Sequence, residues 1–168
     1  MIRTKVINDS TDLVSIMRAF DSSTKKEVFF EISKDWTPTS VIIEKFGTEG
    51  QEALEFFDHM KLAETKWTTP EEGIEGKPQK MYRSFYSLFN INISCPVNEI
   101  SEIFTISALD DDNFQKLENE IYQFIGANGT YGNKVSENFQ ISNTALKALV
   151  KRSNKFHYTG LKITRKQD

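Results

Sequence analysis

Between Val41 and Met60 the chain carries VIIEKFGTEGQEALEFFDHM, the stretch that decides the fold. Apolar residues recur at helical spacing on both sides of Gly47, which predicts two short helices joined by a tight turn. Glycine suits the left-handed backbone that ends a helix, and Thr48 directly after it can cap the next one. The stretch therefore predicts a helix-turn-helix, with residues 48–60 as its second helix.

The segments before this stretch predict two more helices. Residues 9–20 begin with a capping aspartate and place apolar residues at the i, i+3, i+4, i+7 spacing of an amphipathic helix. Residues 24–27, Thr-Lys-Lys-Glu, form a capping box that opens a second helix. We expect this helix to bury Val28, Phe29 and Ile32.

After residue 63 the pattern changes from helical to extended. Residues 64–68 have strand character, and residues 80–95 are mostly apolar at alternate positions, as a half-buried strand requires. A loop rich in Pro, Gly and Glu separates them at residues 69–78. The two strands predict a hairpin, or wing, behind the helix-turn-helix, and residues 103–108 are a further strand candidate.

The same order of patterns recurs in the second half of the chain. Three aspartates at residues 110–112 suit the positive end of a helix dipole, so we expect them to cap a helix. Behind it the sequence predicts a helix at 132–138, a helix at 142–153 and a hairpin at 155–166. We expect a mainly α fold with small β wings (α+β). A winged helix-turn-helix in residues 1–96 precedes a second, winged-helix-like domain in residues 97–168, with a linker near 97–110.

The composition limits the classes of protein that the chain can belong to. No apolar run approaches the roughly 20 residues of a membrane span, and the N-terminus lacks the apolar stretch of a signal peptide. We therefore expect a soluble, cytoplasmic protein with no membrane partner. The sequence has no glycine-rich phosphate loop and no suggestive Ser/His/Asp or Cys/His set, so we expect neither an enzyme nor a cofactor.

Residues 19–32, AFDSSTKKEVFFEI, resemble the start of the ArsR family of winged-helix repressors. In that family a pair such as Pro-Thr opens the helix, and Ser23-Thr24 takes its place here. The resemblance continues through a positioning helix, a recognition helix, the exit into the wing and the return strand, at residues 41–47, 48–60, 61–66 and 80–88. It covers about residues 12–88, and with its C-terminal extension the chain is similar to ArsR-like regulators of archaea. The resemblance implies a homodimeric transcriptional regulator that binds operator DNA.

The chain departs from the family's founding members, which sense metals through clustered Cys or His residues. Cys95 is the single cysteine, and His59 and His157 lie far apart in the sequence. Because transition metals need convergent thiolate or imidazole ligands, we expect no metal-sensing site. An effector of another kind is possible, and the sequence does not identify it.

Charge is distributed unevenly along the chain, whose net charge is -3. Residues 48–60 hold four acids and no Lys or Arg, which opposes a phosphate-lined groove. Residues 142–166 hold seven bases and no acid, leaving 14 of the 21 bases against all 24 acids elsewhere. Concentrated positive charge drives nucleic-acid binding, so the C-terminal segment is the stronger candidate for DNA contact.

The sequence thus predicts a DNA interface drawn from both halves. Its C-terminal members are Ser142, Asn143, Thr144, Lys147, Lys151, Arg152, Lys155 and Lys162. Its N-terminal members are Thr48, Gln51, Lys66, Lys80 and Arg83. The alternative is a protein-interaction or dimerisation module that keeps the winged fold without binding DNA, which the acidic residues 48–60 favour.

Overall fold

The computed structural model describes residues 2–69 and 77–166 of the chain. Its helices are α1 (Leu13–Ala19), α2 (Ser23–Lys34), α3 (Thr39–His59), α4 (Val97–Ala108), α5 (Asp111–Ile125), α6 (Gly132–Phe139) and α7 (Asn143–Arg152). Its strands are β1 (Thr4–Ile7), β2 (Thr37–Pro38), β3 (Ala63–Thr68), β4 (Gln79–Ser84), β5 (Leu88–Ile91), β6 (Thr130–Tyr131), β7 (Phe156–Thr159) and β8 (Lys162–Arg165). A 3-10 turn at Ser10–Asp12 precedes α1.

These elements form two compact units. The N-terminal unit contains the described parts of residues 2–6 and 18–91, and the C-terminal unit contains residues 7–17 and 92–166. The division differs from the one expected at residue 96, because residues 7–17 belong to the C-terminal unit. The reason is hydrophobic: Val14 is fully buried in the apolar core of that unit.

In the N-terminal unit, α3 consists of two helical segments, residues 39–46 and 48–59, separated by a kink at Gly47. Gly47 has φ 65° and ψ -150°, a conformation that glycine adopts without strain. Gly50 lies so close to the first segment that a Cβ there would stand 2.7 Å from the Phe46 Cβ. The predicted helix-turn-helix is thus confirmed, with its turn at Gly47.

A small sheet completes this unit behind the helix-turn-helix. Its strands are antiparallel in the order β2-β4-β3, and Glu64 of β3 lies opposite Arg83 of β4. The unit's fully buried side chains include Ile32, Ile42, Leu54, Phe57 and Leu62. The order helix, short strand, helix, helix, hairpin is that of a winged helix.

The C-terminal unit repeats this connectivity. Helix α5, strand β6, helices α6 and α7 and the β7-β8 hairpin follow in the same order, with strand order β6-β8-β7. The core contains Ile121, Leu146, Leu149, Phe156 and Ile163, all fully buried. The expected α+β fold with small β wings is confirmed, and the pattern repeat in the sequence is a repeat of topology.

Two strand predictions were wrong. The expected long strand at residues 80–95 is interrupted after β4, where the Ser84 hydroxyl donates to the Tyr86 carbonyl oxygen and the chain turns to pair β5 with β1. Residues 103–108, expected as a strand within a linker, form the second half of α4. Ile103, Ile106 and Ser107 are buried there at helical spacing, so the amphipathic pattern has a period of 3.6 residues.

The cap of α2 also differs from the prediction. The Ser22 hydroxyl accepts from the Lys25 backbone N–H, whereas the Thr24 hydroxyl, expected to form the capping box, donates to Glu49 at 2.8 Å. Helix α5 begins as expected, with Asp110 accepting from the Asn113 N–H. That bond and the one from the Asn113 side chain hold the pKa of Asp110 below its ordinary value.

Candidate nucleic-acid interface

Each unit presents one helix in the position that winged helices use for the major groove, the second helix of the helix-turn-helix. In the N-terminal unit it is the segment 48–59 of α3, and in the C-terminal unit it is α7. The expected contact residues lie mainly on these helices and on the hairpins behind them. Their partners within the chain determine which of them can meet DNA.

The first turn of α7 holds three of the expected contact residues. The Ser142 hydroxyl caps the helix by accepting from the Ala145 N–H, and it donates to Glu102. Asn143 is exposed, and its Oδ1 accepts from the Ser136 hydroxyl at 3.0 Å. Thr144 is half-buried. The amide nitrogen of Asn143 is therefore the group in this turn best placed to meet a base or phosphate.

Lys147 and Lys151 lie one and two turns further along α7, and both are exposed. Lys151 pairs with Asp12 at 2.5 Å. Burial alone would raise the pKa of Asp9, but hydrogen bonds from Thr11 and the charges of Lys151 and Lys147 hold it below its ordinary value. The basic stripe of α7 is thus bordered by two acids from the turn that precedes α1.

Arg152 has a structural position. Its side chain is 5% exposed, and its guanidinium donates to the Ile106 carbonyl oxygen and to Asp111, each at 2.7 Å. The same guanidinium lies over the Phe114 ring, 4.0 Å from the centroid. These contacts join α7 to α4 and α5 within the core of the unit.

The remaining bases of the C-terminal segment also have partners within the unit. Lys155 pairs with the buried Glu118 at 3.3 Å, and Lys162 lies over the Tyr131 ring at 5.1 Å. Arg165 donates to the Tyr122 carbonyl oxygen. Burial lowers the pKa of Lys166, and the Glu118 carboxylate offsets only part of that effect. Much of the positive charge counted in the sequence is therefore taken up within the unit.

In the N-terminal unit the expected contacts on α3 are exposed and surrounded by acids. Thr48 is exposed at the start of the second segment, and Gln51 donates to Glu55 at 3.0 Å. Asp58, further along the segment, pairs with Lys80 of β4 at 2.9 Å. This face of α3 is acidic in the structure, as the sequence indicates.

The other two expected bases of this unit flank Trp36. Lys66 lies 4.3 Å and Arg83 lies 4.7 Å from the centroid of a Trp36 ring, and Arg83 is also paired with Glu64 at 2.7 Å. Trp36 is half-buried between them. Trp67, by contrast, is 68% exposed on β3. This exposure cannot be predicted from the sequence, because one aromatic residue in a strand has the same pattern on either face.

Two further observations concern ligands and membranes. Across residues 2–69 and 77–166, no three His, Cys, Asp or Glu side chains come together as a metal site would need. Among the same residues, no helix has both the length and the apolar character for a membrane span.

Comparison with known proteins extends the sequence resemblance. A family model described as ArsR transcriptional regulator matches residues 7–167. The match goes beyond residues 12–88 and includes the C-terminal winged helix, which therefore falls within the family's pattern. No curated protein matches the chain significantly.

Proposed function

Because this chain belongs to the ArsR family of transcriptional regulators, we propose that it acts by binding operator DNA through its winged helices. The observation that carries this proposal is the repeated connectivity of the two units, each with a helix-turn-helix and a hairpin behind it. Such a device reads DNA by placing its second helix in the major groove and its wing against the flanking backbone.

Of the two second helices, α7 has the charge that DNA binding needs. It holds Lys147, Lys151 and Arg152 and no acid, whereas the second segment of α3 holds four acids and no Lys or Arg. Arg152 is buried, so the contacts we assign to DNA are Asn143, Lys147 and Lys151. Neutralising phosphates with lysines releases condensed counterions, which supplies a large share of the binding free energy.

Binding through α7 has a cost, since Lys151 must exchange Asp12 for a phosphate. Exposed ion pairs contribute only about 0–1 kcal/mol to stability, so the loss of the pair with Asp12 opposes DNA binding only weakly. We further propose a homodimer, because two copies would place two such helices on the half-sites of a palindromic operator. Regulation in this scheme does not use a metal.

The experiment is a titration of fluorescently labelled duplex DNA, drawn from genomic fragments, with the full-length protein at about 50 mM salt. Lys147→Glu should weaken binding by about tenfold or more, because it removes one phosphate contact and adds a repulsive charge. Lys116→Glu is the matched control: it makes the same change in net charge at an exposed position of α5, outside the proposed interface. It should change the affinity by no more than about twofold.

Equal loss in both variants would contradict a specific role for α7 and leave only a non-specific charge effect. A larger loss of DNA affinity in Gln51→Glu or Lys66→Glu than in Lys147→Glu would indicate that the N-terminal unit forms the interface. Thermal melting of each variant excludes unfolding as the cause of a lost signal.

The second candidate function is a protein-interaction module on the winged fold. The acidic face of α3, where Glu52 and Glu55 are exposed, favours it. The pairing of the C-terminal bases with Asp12, Asp111 and Glu118 favours it as well. Absence of DNA binding at low salt would support this candidate over the regulator that binds DNA.

A further inference from the structure

A cleft in the N-terminal unit has the size and lining of a small-molecule site. Its volume is about 370 Å³, within the range of roughly 300–1,000 Å³ that is typical of ligand pockets. It is lined by Arg3 before β1, by residues of α2, by Glu64 and Arg83 of the β3-β4 hairpin, and by the turn that leads into β5. We call it the arginine cleft.

The charges in the arginine cleft do not balance. Glu64 Oε2 accepts from Arg3 Nη1 at 2.9 Å, while Oε1 accepts from Arg83 Nε at 2.9 Å and Nη2 at 2.7 Å. One carboxylate thus faces two guanidinium groups, each with five N–H donors, so donors remain for a second anion. The other cation of the lining, Lys34, pairs at 3.3 Å with Glu31, which also pairs with Lys45 at 2.6 Å.

The ionisation of Glu64 is secure at neutral pH. Burial alone would raise the pKa of Glu64, but the hydrogen bonds and charges of Arg3 and Arg83 hold it below its ordinary value. Glu64 therefore compensates only one of the two guanidinium charges. Planar guanidinium groups suit a carboxylate, because they can bind it through paired hydrogen bonds.

A chain of aromatic rings forms a further part of the lining. The ring centroids of Phe85 and Tyr86 are 4.9 Å apart, and Phe89 lies 6.4 Å from both Tyr86 and Phe29. The Arg3 guanidinium lies 4.5 Å from the Phe85 centroid, so charge and ring surface are adjacent. Such rings favour a flat aromatic partner in stacked or edge-to-face contact.

We propose that the arginine cleft binds a small aromatic carboxylate. The carboxylate accepts from the N–H donors of Arg3 and Arg83 that Glu64 does not use, and the ring of the ligand packs against Phe85, Tyr86 and Phe89. Glu64 and Arg83 lie opposite each other on β3 and β4, at the base of the wing. A ligand that draws Arg83 away from Glu64 therefore breaks an ion pair between the two strands of the hairpin. The role of this ligand as an effector rests on the proposed function, whereas its binding does not.

Isothermal titration of the full-length protein with benzoate tests the site, with benzamide as the uncharged counterpart and inorganic phosphate as the anion without a ring. Benzoate should bind with a Kd of about 1 mM or tighter. Benzamide and phosphate should each bind at least about tenfold more weakly, since each lacks one of the two features that the cleft recognises. Absence of benzoate binding up to about 10 mM, or equal binding of benzamide or phosphate, would overturn the proposal.

Variants separate ligand recognition from a merely structural ion cluster. Arg3→Gln should weaken benzoate binding by about tenfold, whereas Glu64→Gln should strengthen it several-fold by releasing both guanidinium groups. A parallel weakening in both variants would contradict the proposal. Lys116→Gln, on α5, is the control and should have no effect. Thermal melting checks folding, and Arg3→Lys replaces Arg3→Gln if the latter does not fold, with a loss of binding still expected.

The DNA titration, repeated with saturating benzoate, tests the regulatory part. A change in DNA affinity of about threefold or more supports an effector role. If benzoate binds and the DNA affinity does not change, the effector role is contradicted, whereas the proposed binding site is not. Failure of DNA binding itself would count against the proposed function and leave the benzoate result unaffected.

Discussion

Asp12, Asp111 and Glu118 pair with three of the cations that the sequence assigns to DNA. All three acids come from outside residues 142–166, so the composition of that segment could not show the pairs. Arg152 is buried, and its guanidinium needs partners within the protein because an unpaired charge in the interior is strongly unfavourable. At the scale of single residues, the count of charges overstated the basic surface, and partners brought in by the fold account for the difference.

Glu64 gives a prediction for the pH dependence of stability. Its carboxyl pKa lies below the ordinary value of 4.5, so the ionised form stabilises the fold. This contribution is fully present above that value and is lost as the pH falls through the lowered folded-state pKa. Urea unfolding of the wild type and of Glu64→Gln should therefore differ above about pH 4.5 and converge towards acid. A difference that persists or grows in acid would contradict this account.

Among the elements, α3 shows how much of the secondary structure can be predicted from local sequence signals. Gly47 predicts its break correctly, and the observed φ of 65° explains why glycine stands there. The patterns for α5, α6, α7 and the β7-β8 hairpin also predict their elements, since amphipathic spacing and caps are local signals. The β4-β5 region was mispredicted because the turn at residues 85–87 depends on pairing with β1. Helix α4 was mispredicted because a short apolar run fits a strand as well as a helix.

Substitution of Gly50 tests how closely the two segments of α3 pack. Gly50→Ala should destabilise the protein by about 1–3 kcal/mol, although alanine favours helices, because its Cβ would lie 2.7 Å from Phe46 Cβ and 2.9 Å from Ile42 Cγ2. Urea unfolding measures the loss. Glu52→Ala, exposed on the same segment, is the control and should leave stability within about 0.5 kcal/mol. Stabilisation by Gly50→Ala would show that the segments can move apart.

The 3-10 turn beside α7 gives a prediction for the interface. Asp12→Asn removes the acid that pairs with Lys151, so DNA affinity should rise by about two- to tenfold at low salt. Asp112→Asn, exposed in the first turn of α5, makes the same change in net charge and should have a smaller effect. Equal effects of the two changes in a fluorescence anisotropy titration would indicate that Asp12 does not compete with DNA for Lys151.

For the whole molecule, sequence predicted the class of fold, the two winged helices and the family, because each follows from patterns that are local or repeated. It did not predict the placement of residues 7–17 in the C-terminal unit, which depends on the burial of Val14 in a core formed by residues distant in sequence. The arginine cleft was missed for the same reason. Arg3, Glu64 and Arg83 are far apart along the chain and meet only in the folded unit.

The salt dependence of duplex DNA binding tests the central claim most directly. The logarithm of the association constant should fall linearly with the logarithm of salt concentration, with a slope of about 0.9 for each phosphate neutralised. Lys147→Glu should reduce that slope by about one, and Lys116→Glu should leave it unchanged. An association that is absent at about 50 mM salt, or whose strength does not change with salt, would contradict binding through α7.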